Sequence, residues 1–247
     1  MRAVRLSFMQ MIRFMAADMM LLAAAASPVL MGFAIGFGIP CIERALVNFT
    51  GLPYVLSPYY GLLDILFAAI TPAMFCFVAA MVMLEEHDDH IDRYLFVTKL
   101  GKKGYYISRI ILPAMLGFTI TCVILPIFGL TKMNVIKVLF LSLSGTLQGV
   151  IIGMLVVNLS SNKLEGMALT KLASLLMFGA AGAYFLETPY SYLLFFMPSY
   201  WTGMVVTCDN LLYMIPTVLV SAVWILLLLR PQAFVAMTRL PHYKEIR

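Results

Sequence analysis

Apolar residues run in six long blocks, roughly 19–39, 60–84, 106–128, 137–158, 168–187 and 211–230, separated by short polar connectors. A membrane-crossing helix needs about 20 mostly apolar residues, so each block predicts one span. The fold class read from this pattern is all-α: a polytopic membrane protein with six transmembrane helices. The connectors are too short for a separate soluble domain, so residues 19–230 form one transmembrane unit. Residues 1–18 have another pattern. On a helix, Arg2, Arg5 and Arg13 share one arc, and Val4, Phe8, Met11 and Met15 share the opposite one. A basic face with an apolar face predicts an interfacial helix on the cytoplasmic leaflet, preferred over a plain extension of the first span. Residues 231–247 are read as a cytoplasmic tail.

Composition removes the soluble alternatives. The chain is 62% hydrophobic and 12% charged, with mean hydropathy +0.95, whereas soluble domains are about a quarter charged. The net charge of +5 is explained by topology rather than by nucleic-acid binding. With both termini in the cytosol, 14 of the 17 Lys and Arg fall inside, and only Arg44, Lys132 and Lys137 fall outside; the positive-inside rule therefore selects N-in, C-in. Asp18 interrupts the start of the first apolar block, and the block is too long for a signal-peptide core. The first span is expected to stay in the mature protein. Cys41 and Cys208 both fall near the outer face, where a disulfide would need an oxidising compartment; two unpaired small apolar residues is the simpler reading.

Within the spans, Gly32-x-x-x-Gly36, Gly145-x-x-x-Gly149-x-x-x-Gly153 and Gly179-Ala180-Ala181-Gly182 mark places where helix backbones approach closely, either within one chain or across a dimer. Pro28, Pro72, Pro113 and Pro216 permit kinks. Polar groups at membrane depth are few. Asp64, near the outer end of the second span, is expected to be solvated, and with Phe67, Thr71 and Phe75 it forms one helix face; Gln148 lies mid-span in the fourth. These five are the candidate substrate-pathway residues, with an ordinary packing face as the alternative.

The densest chemistry lies in residues 85–109, a charged island between two spans. Glu85, Glu86, Asp88, Asp89 and Asp92 open it, and Arg93, Lys99, Lys102, Lys103 and Arg109 close it, with Ile91, Tyr94, Leu95 and Val97 as apolar knobs. An ordinary cytoplasmic anchor needs the basic residues but not five acidic ones. Apolar knobs among charges describe a docking surface for a cytosolic partner. His87 and His90 beside the aspartates read as a solvated turn, not a metal site. No G-x-x-x-x-G-K-[ST] run occurs, so the chain has no P-loop of its own. All three histidines lie outside the spans, which removes an intramembrane Ser–His pair and the H-E-x-x-H helix. No catalytic residue, bound cofactor or metal is assigned. On the outer side, residues 187–210 contain Tyr190, Tyr192, Phe195, Phe196, Pro198, Tyr200 and Trp201, and read as a re-entrant segment or an aromatic belt.

Leu84-Glu85-Glu86, then Asp92 to Thr98, then Gly101 to Arg109 resemble the first cytoplasmic loop of type-2 ABC exporter permeases, and Phe195 to Trp201 resembles the Pro-x-Tyr-Trp element before their last span. The order of interfacial helix, six spans and outer re-entrant region matches over nearly the whole chain. Thr98 departs from the proline usual in that loop. The resemblance implies that residues 85–103, with Glu85, Glu86, Asp92, Arg93, Tyr94, Leu95, Lys99 and Lys102, couple to a separate cytosolic ATPase that holds ATP and Mg. It implies a second permease subunit, identical or related, paired through the first and fifth spans. It also implies an apolar or amphipathic cargo (drug, lipid or peptide) passing between the second and fifth spans, and Pro198, Tyr200 and Trp201 near an outer gate. A bacterial plasma membrane follows by the same likeness. The competing classes are a secondary transporter, which needs more intramembrane ionisable groups than Asp64, and a non-transporting membrane assembly protein.

Overall fold

The computed structural model describes residues 2–186 and 190–238, without the side chains of Arg2, Tyr190, Tyr192 and residues 230–238. The start of the outer segment at 187–189 and the tail beyond Thr238 lie outside the described residues. All regular structure among the described residues is helical, and six helices are long and apolar enough to cross a membrane.

Helix α1 (Arg2–Ala17) precedes the first span, which consists of α2 (Met19–Phe33), a π-helical turn at Ala34–Gly38 and α3 (Ile39–Thr50). Asp18 separates α1 from α2 and caps the latter, its carboxylate accepting from the Met20 N–H at 2.9 Å. The second span is α4 (Tyr60–Asp88); the short α5 (Ile91–Val97) follows. The third span joins α6 (Gly101–Tyr106), a π-helical turn at Ile107–Ile111 and α7 (Leu112–Phe128). The fourth is α8 (Val135–Leu159), and the fifth joins α9 (Lys163–Ala173) to α10 (Gly179–Phe185). Helix α11 (Pro198–Thr207) precedes the last span, α12 (Met214–Thr238).

The first span is longer than its hydropathy predicts, ending at Thr50 rather than near 39. Pro40 follows directly on the π turn without ending the helix, which is continuous from Met19 to Thr50. Glu43 and Arg44 end the apolar run without ending the helix, which stops at Gly51 in the left-handed conformation (φ 69°).

The second and fourth spans form the centre, and the others wrap around them. The glycine stripe of the fourth span makes this contact. Gly145 lies against the Ala68 carbonyl, Gly149 against Ala73 and Gly153 against Cys76, so the close approach is within one chain. Pro72 explains the first of these contacts. Its missing N–H frees the Ala68 carbonyl, and Gly145 packs onto it so tightly that any Cβ would overlap. Gly117 of the third span approaches the same kink, where an added Cβ would stand 2.8 Å from the Pro72 Cα. Pro28 frees the Ala24 carbonyl in the first span, and the Ser27 hydroxyl donates to it at 2.7 Å. Glycines of the first and fifth spans also pack internally, Gly32 and Gly36 on Phe128 and Gly179 on Met197 and Ser199.

Helix α1 turns its apolar arc toward the bundle. Met11 is 2% exposed and packs with Phe8 and Met15 against the second span, so the apolar arc is covered by the bundle rather than by lipid. Leu6, Met9 and Ile12 stand outward between Arg5 and Arg13. All four cysteines are free thiols, with Cys41 and Cys208 exposed and unpaired.

Candidate functional site

At the end of the second span α4 runs through the charged residues to Asp88, and the chain then turns sharply at His90, a non-glycine residue in the left-handed region (φ 58°). Helix α5 follows, and Thr98 ends it with φ −73° and ψ 174°. That is a conformation a proline would hold, so Thr98 preserves the turn that the usual proline would impose. Its hydroxyl donates to the Leu95 carbonyl at 2.7 Å. Gly101 (φ 66°) then redirects the chain into the third span.

This geometry sorts the predicted coupling residues into two sets. Tyr94 (76% exposed), Val97 (89%) and Ile91 point outward, flanked by exposed Arg93, Lys99, Lys102 and Lys103. Leu95 is half-buried, and Phe96 turns inward to meet the Tyr105 ring edge-on at 5.1 Å. Glu85, Glu86 and Asp92, read from sequence as part of the docking face, point the other way and are occupied by their own chain. Glu86 is buried, and its carboxylate accepts from Arg109 Nε at 3.0 Å, from Arg109 Nη2 and from the Tyr105 hydroxyl at 2.9 Å. Glu85 accepts from Lys163 Nζ at 2.6 Å. Asp92 pairs with His87 Nδ1 at 3.0 Å and accepts from the Arg93 N–H at 2.8 Å. Glu85, Glu86 and Asp92 thus build the support, and Arg93, Lys99, Lys102 and Lys103 are presented with Ile91, Tyr94 and Val97.

Arg109 is the residue that sequence reading misplaced. Counted there as a loop charge, it is 2% exposed and sits in the third span. Besides Glu86 it donates from Nη1 to the Ser7 carbonyl at 2.8 Å, and Ser7 and Ser108 hydroxyls meet at 3.3 Å. One guanidinium therefore ties α1, the second span and the third span together beneath α5. The signal was available: Glu86 and Arg109 stand at the facing ends of two consecutive antiparallel spans, which a hairpin brings opposite each other.

His87 and His90 do not converge, and among the described residues no group of three or more His, Cys, Asp or Glu is arranged to hold a metal ion.

The predicted pathway residues are enclosed in this monomer. Asp64 is fully buried, not solvated as expected. Its carboxylate accepts from the backbone N–H groups of Leu130 (2.8 Å) and Thr131 (2.9 Å) and from the Thr131 hydroxyl at 2.5 Å, pinning the loop after the third span. Phe67, Thr71 and Phe75 do share its face, but Gly32 and Gly117 of neighbouring spans cover that face. Thr71 donates to the Phe67 carbonyl at 2.9 Å. Gln148 reaches Thr202 Oγ1 of α11 at 3.4 Å, a weak contact by length. An open apolar groove of about 320 Å³ lies elsewhere, between the third and fourth spans, lined by Ile110, Met115, Phe118, Leu143, Thr146 and Val150.

On the outer side, α11 packs into the bundle, with Gly203 against Ala180 and Ala183 of the fifth span. Pro198 opens α11, Tyr200 is 4% exposed, and the Trp201 indole N–H donates to the Phe195 carbonyl at 2.9 Å. Trp224 donates to the next carbonyl, Phe196, also at 2.9 Å. Both tryptophans of the chain thus clamp the dipeptide that leads into α11.

Four spans around a central pair, a supported helix between the second and third spans and a packed half-helix before the last span define a multi-pass membrane protein. The family comparison is specific: the model described as "Fluoroquinolones export permease protein Rv2686c-like" matches residues 11–230. The chain belongs to this Rv2686c-like export permease family. No curated protein and no solved structure matches it.

Proposed function

We propose that the chain is the membrane subunit of an ATP-driven ABC exporter, powered by a separate cytosolic ATPase that seats on α5. The observation that carries this is the division of the island at 85–109. Among the described residues, its presented half (Tyr94 and Val97 among Arg93, Lys99, Lys102 and Lys103) makes no ion pair, and Lys102 lies 5.9 Å over the Phe96 ring. Its other half anchors that surface to three helices. A surface that receives a push needs both properties. The chain carries no P-loop, so ATP and Mg belong to the partner.

The cargo is apolar or amphipathic. The family description names fluoroquinolones, and the groove between the third and fourth spans offers an apolar wall. The working unit contains two permease subunits, identical or related, in a bacterial plasma membrane. Asp64, Phe67, Thr71, Phe75 and Gln148 belong to a pathway only if the second span is uncovered during the cycle. Pro198, Tyr200 and Trp201 then stand at its outer end.

The test is purification of the tagged chain in mild detergent with identification of what accompanies it. A P-loop ATPase near one-to-one is the expected result. Charge reversal at Arg93 and Lys99 should abolish that association and leave thermal stability unchanged, because both side chains are exposed. Unchanged association sinks the docking assignment.

A further inference from the structure

At the cytoplasmic face one ammonium joins three spans. Lys163, the first residue of the fifth span, donates from Nζ to Asp18 Oδ2 at 3.1 Å and to Glu85 Oε2 at 2.6 Å. Its backbone N–H donates to Asp88 Oδ2 at 3.1 Å. Asp18 caps the first span, and Glu85 and Asp88 lie in the last turn of the second. Directly beneath, Gly166 packs against Leu84 and Met81, which lets the fifth span close onto the second without an intervening side chain.

This junction differs from the Glu86–Arg109 pair in one decisive respect. The side chains of Lys163, Asp18 and Glu85 are 22%, 29% and 29% exposed, whereas that of Arg109 is 2% exposed. When a partly exposed pair separates, water can reach both partners, so separation is cheaper than for a buried pair. When a buried pair separates, two charges are left without solvent. The two junctions therefore suit different tasks, one permanent and one releasable. The releasable one is also near α5, since Asp89 and His90 alone separate α5 from Asp88.

We infer that Lys163 is the positioning residue of a cytoplasmic latch. Closed, as here, it holds the first and second spans against the fifth; released, it lets the fifth span move away from them at the cytosolic end. The inference rests on the exporter reading for its purpose, but the motion is measurable without it.

The experiment is a distance measurement by pulsed electron paramagnetic resonance on the full chain in lipid nanodiscs. The four native cysteines are replaced, and nitroxides are placed at Asp89→Cys and Leu164→Cys, both exposed positions at the two sides of the latch. Lys163→Ala is expected to add a longer-distance population that the parent lacks, and Lys163→Arg is expected to restore the parent distribution. If Lys163→Ala does not yield folded protein, the parent itself decides. Raising salt to about 1 M shortens the screening length to about 3 Å and is expected to produce the same longer population. A distribution unchanged by Lys163→Ala, or unchanged by salt where that variant fails, overturns the latch. Neither readout involves an ATPase or a cargo, so loss of the latch and loss of the exporter reading are separate results.

Discussion

The outer and cytoplasmic ends of this bundle use carboxylates in opposite ways. On the outer side Asp64 accepts from the backbone N–H groups of Leu130 and Thr131, and Glu43 from those of Val55 (3.1 Å) and Leu56 (2.7 Å). Each acid closes one loop onto one span. On the cytoplasmic side Glu86, Glu85 and Asp18 are held by Arg109 and Lys163, cations on long side chains from other spans. The outer Lys137–Asp209 pair is exposed and joins the fourth span to the loop after α11. Backbone amides fix a loop in one geometry, because they cannot swing away. Side-chain cations couple helices to one another, permanently where they are buried, as Arg109 is, and adjustably where they are partly exposed, as Lys163 is. The outer loops are thus held by backbone amides, while the cytoplasmic end combines one fixed junction at Arg109 with one adjustable junction at Lys163, next to the helix proposed to receive the ATPase.

The comparison is broken most severely at Arg109. Arg109→Ala leaves the Glu86 carboxylate buried without its cation and should cost about 3–5 kcal/mol, read as a large drop in thermal stability in detergent. Replacing both partners together, Glu86→Met with Arg109→Met, should recover most of that loss, because no charge is then stranded. If the double variant is as unstable as Arg109→Ala, the pair is more than a buried ion pair and the Ser7 tie to α1 carries the difference.

At the outer end the corresponding change is Asp64→Ala. It leaves two part-buried amides without their acceptor and should cost about 1–3 kcal/mol. Amide hydrogen exchange should accelerate at Leu130 and Thr131 and stay unchanged in α5. Faster exchange in α5 would mean that the two ends are coupled and that the division drawn above fails.

Which of these features the sequence displays depends on the range over which they act. The six spans are legible because a run of apolar residues is a local property, and the first span runs past its apolar block because Glu43 and Arg44 interrupt hydropathy but not helix. The stripe Gly145, Gly149, Gly153 announces close packing, but its partners Ala68, Ala73 and Cys76 are read only from the structure. Asp64 is conspicuous as an acid at membrane depth, yet its ligands lie 66 and 67 residues further on, which no spacing rule connects. Glu85 and Glu86 look like loop charges for the same reason. Their orientation follows from the register of the second and third spans and from where the fifth span begins. The exposed half of the site (Tyr94, Arg93, Lys99) was legible because exposure needs no partner.

The smallest effect is the most discriminating for the adjustable end. Lys163 donates to Asp18, and this charge-assisted bond, with lesser help from the Met20 and Leu21 N–H groups, holds the Asp18 carboxyl below its ordinary value of 3.8. A carboxyl whose folded value is depressed contributes stability above the ordinary value and loses it as pH falls through the folded one. Asp18→Asn keeps the helix cap, since an amide oxygen also accepts from Met20, but removes the charge that Lys163 needs. The stability difference between wild type and Asp18→Asn should therefore be small and constant from neutral pH down to about 3.8, then shrink as acid protonates the wild-type carboxyl. A difference that fades well above that range would show that Asp18 is not held by Lys163 in the folded protein. The first span would then be free of the junction, and the latch would join the second and fifth spans alone.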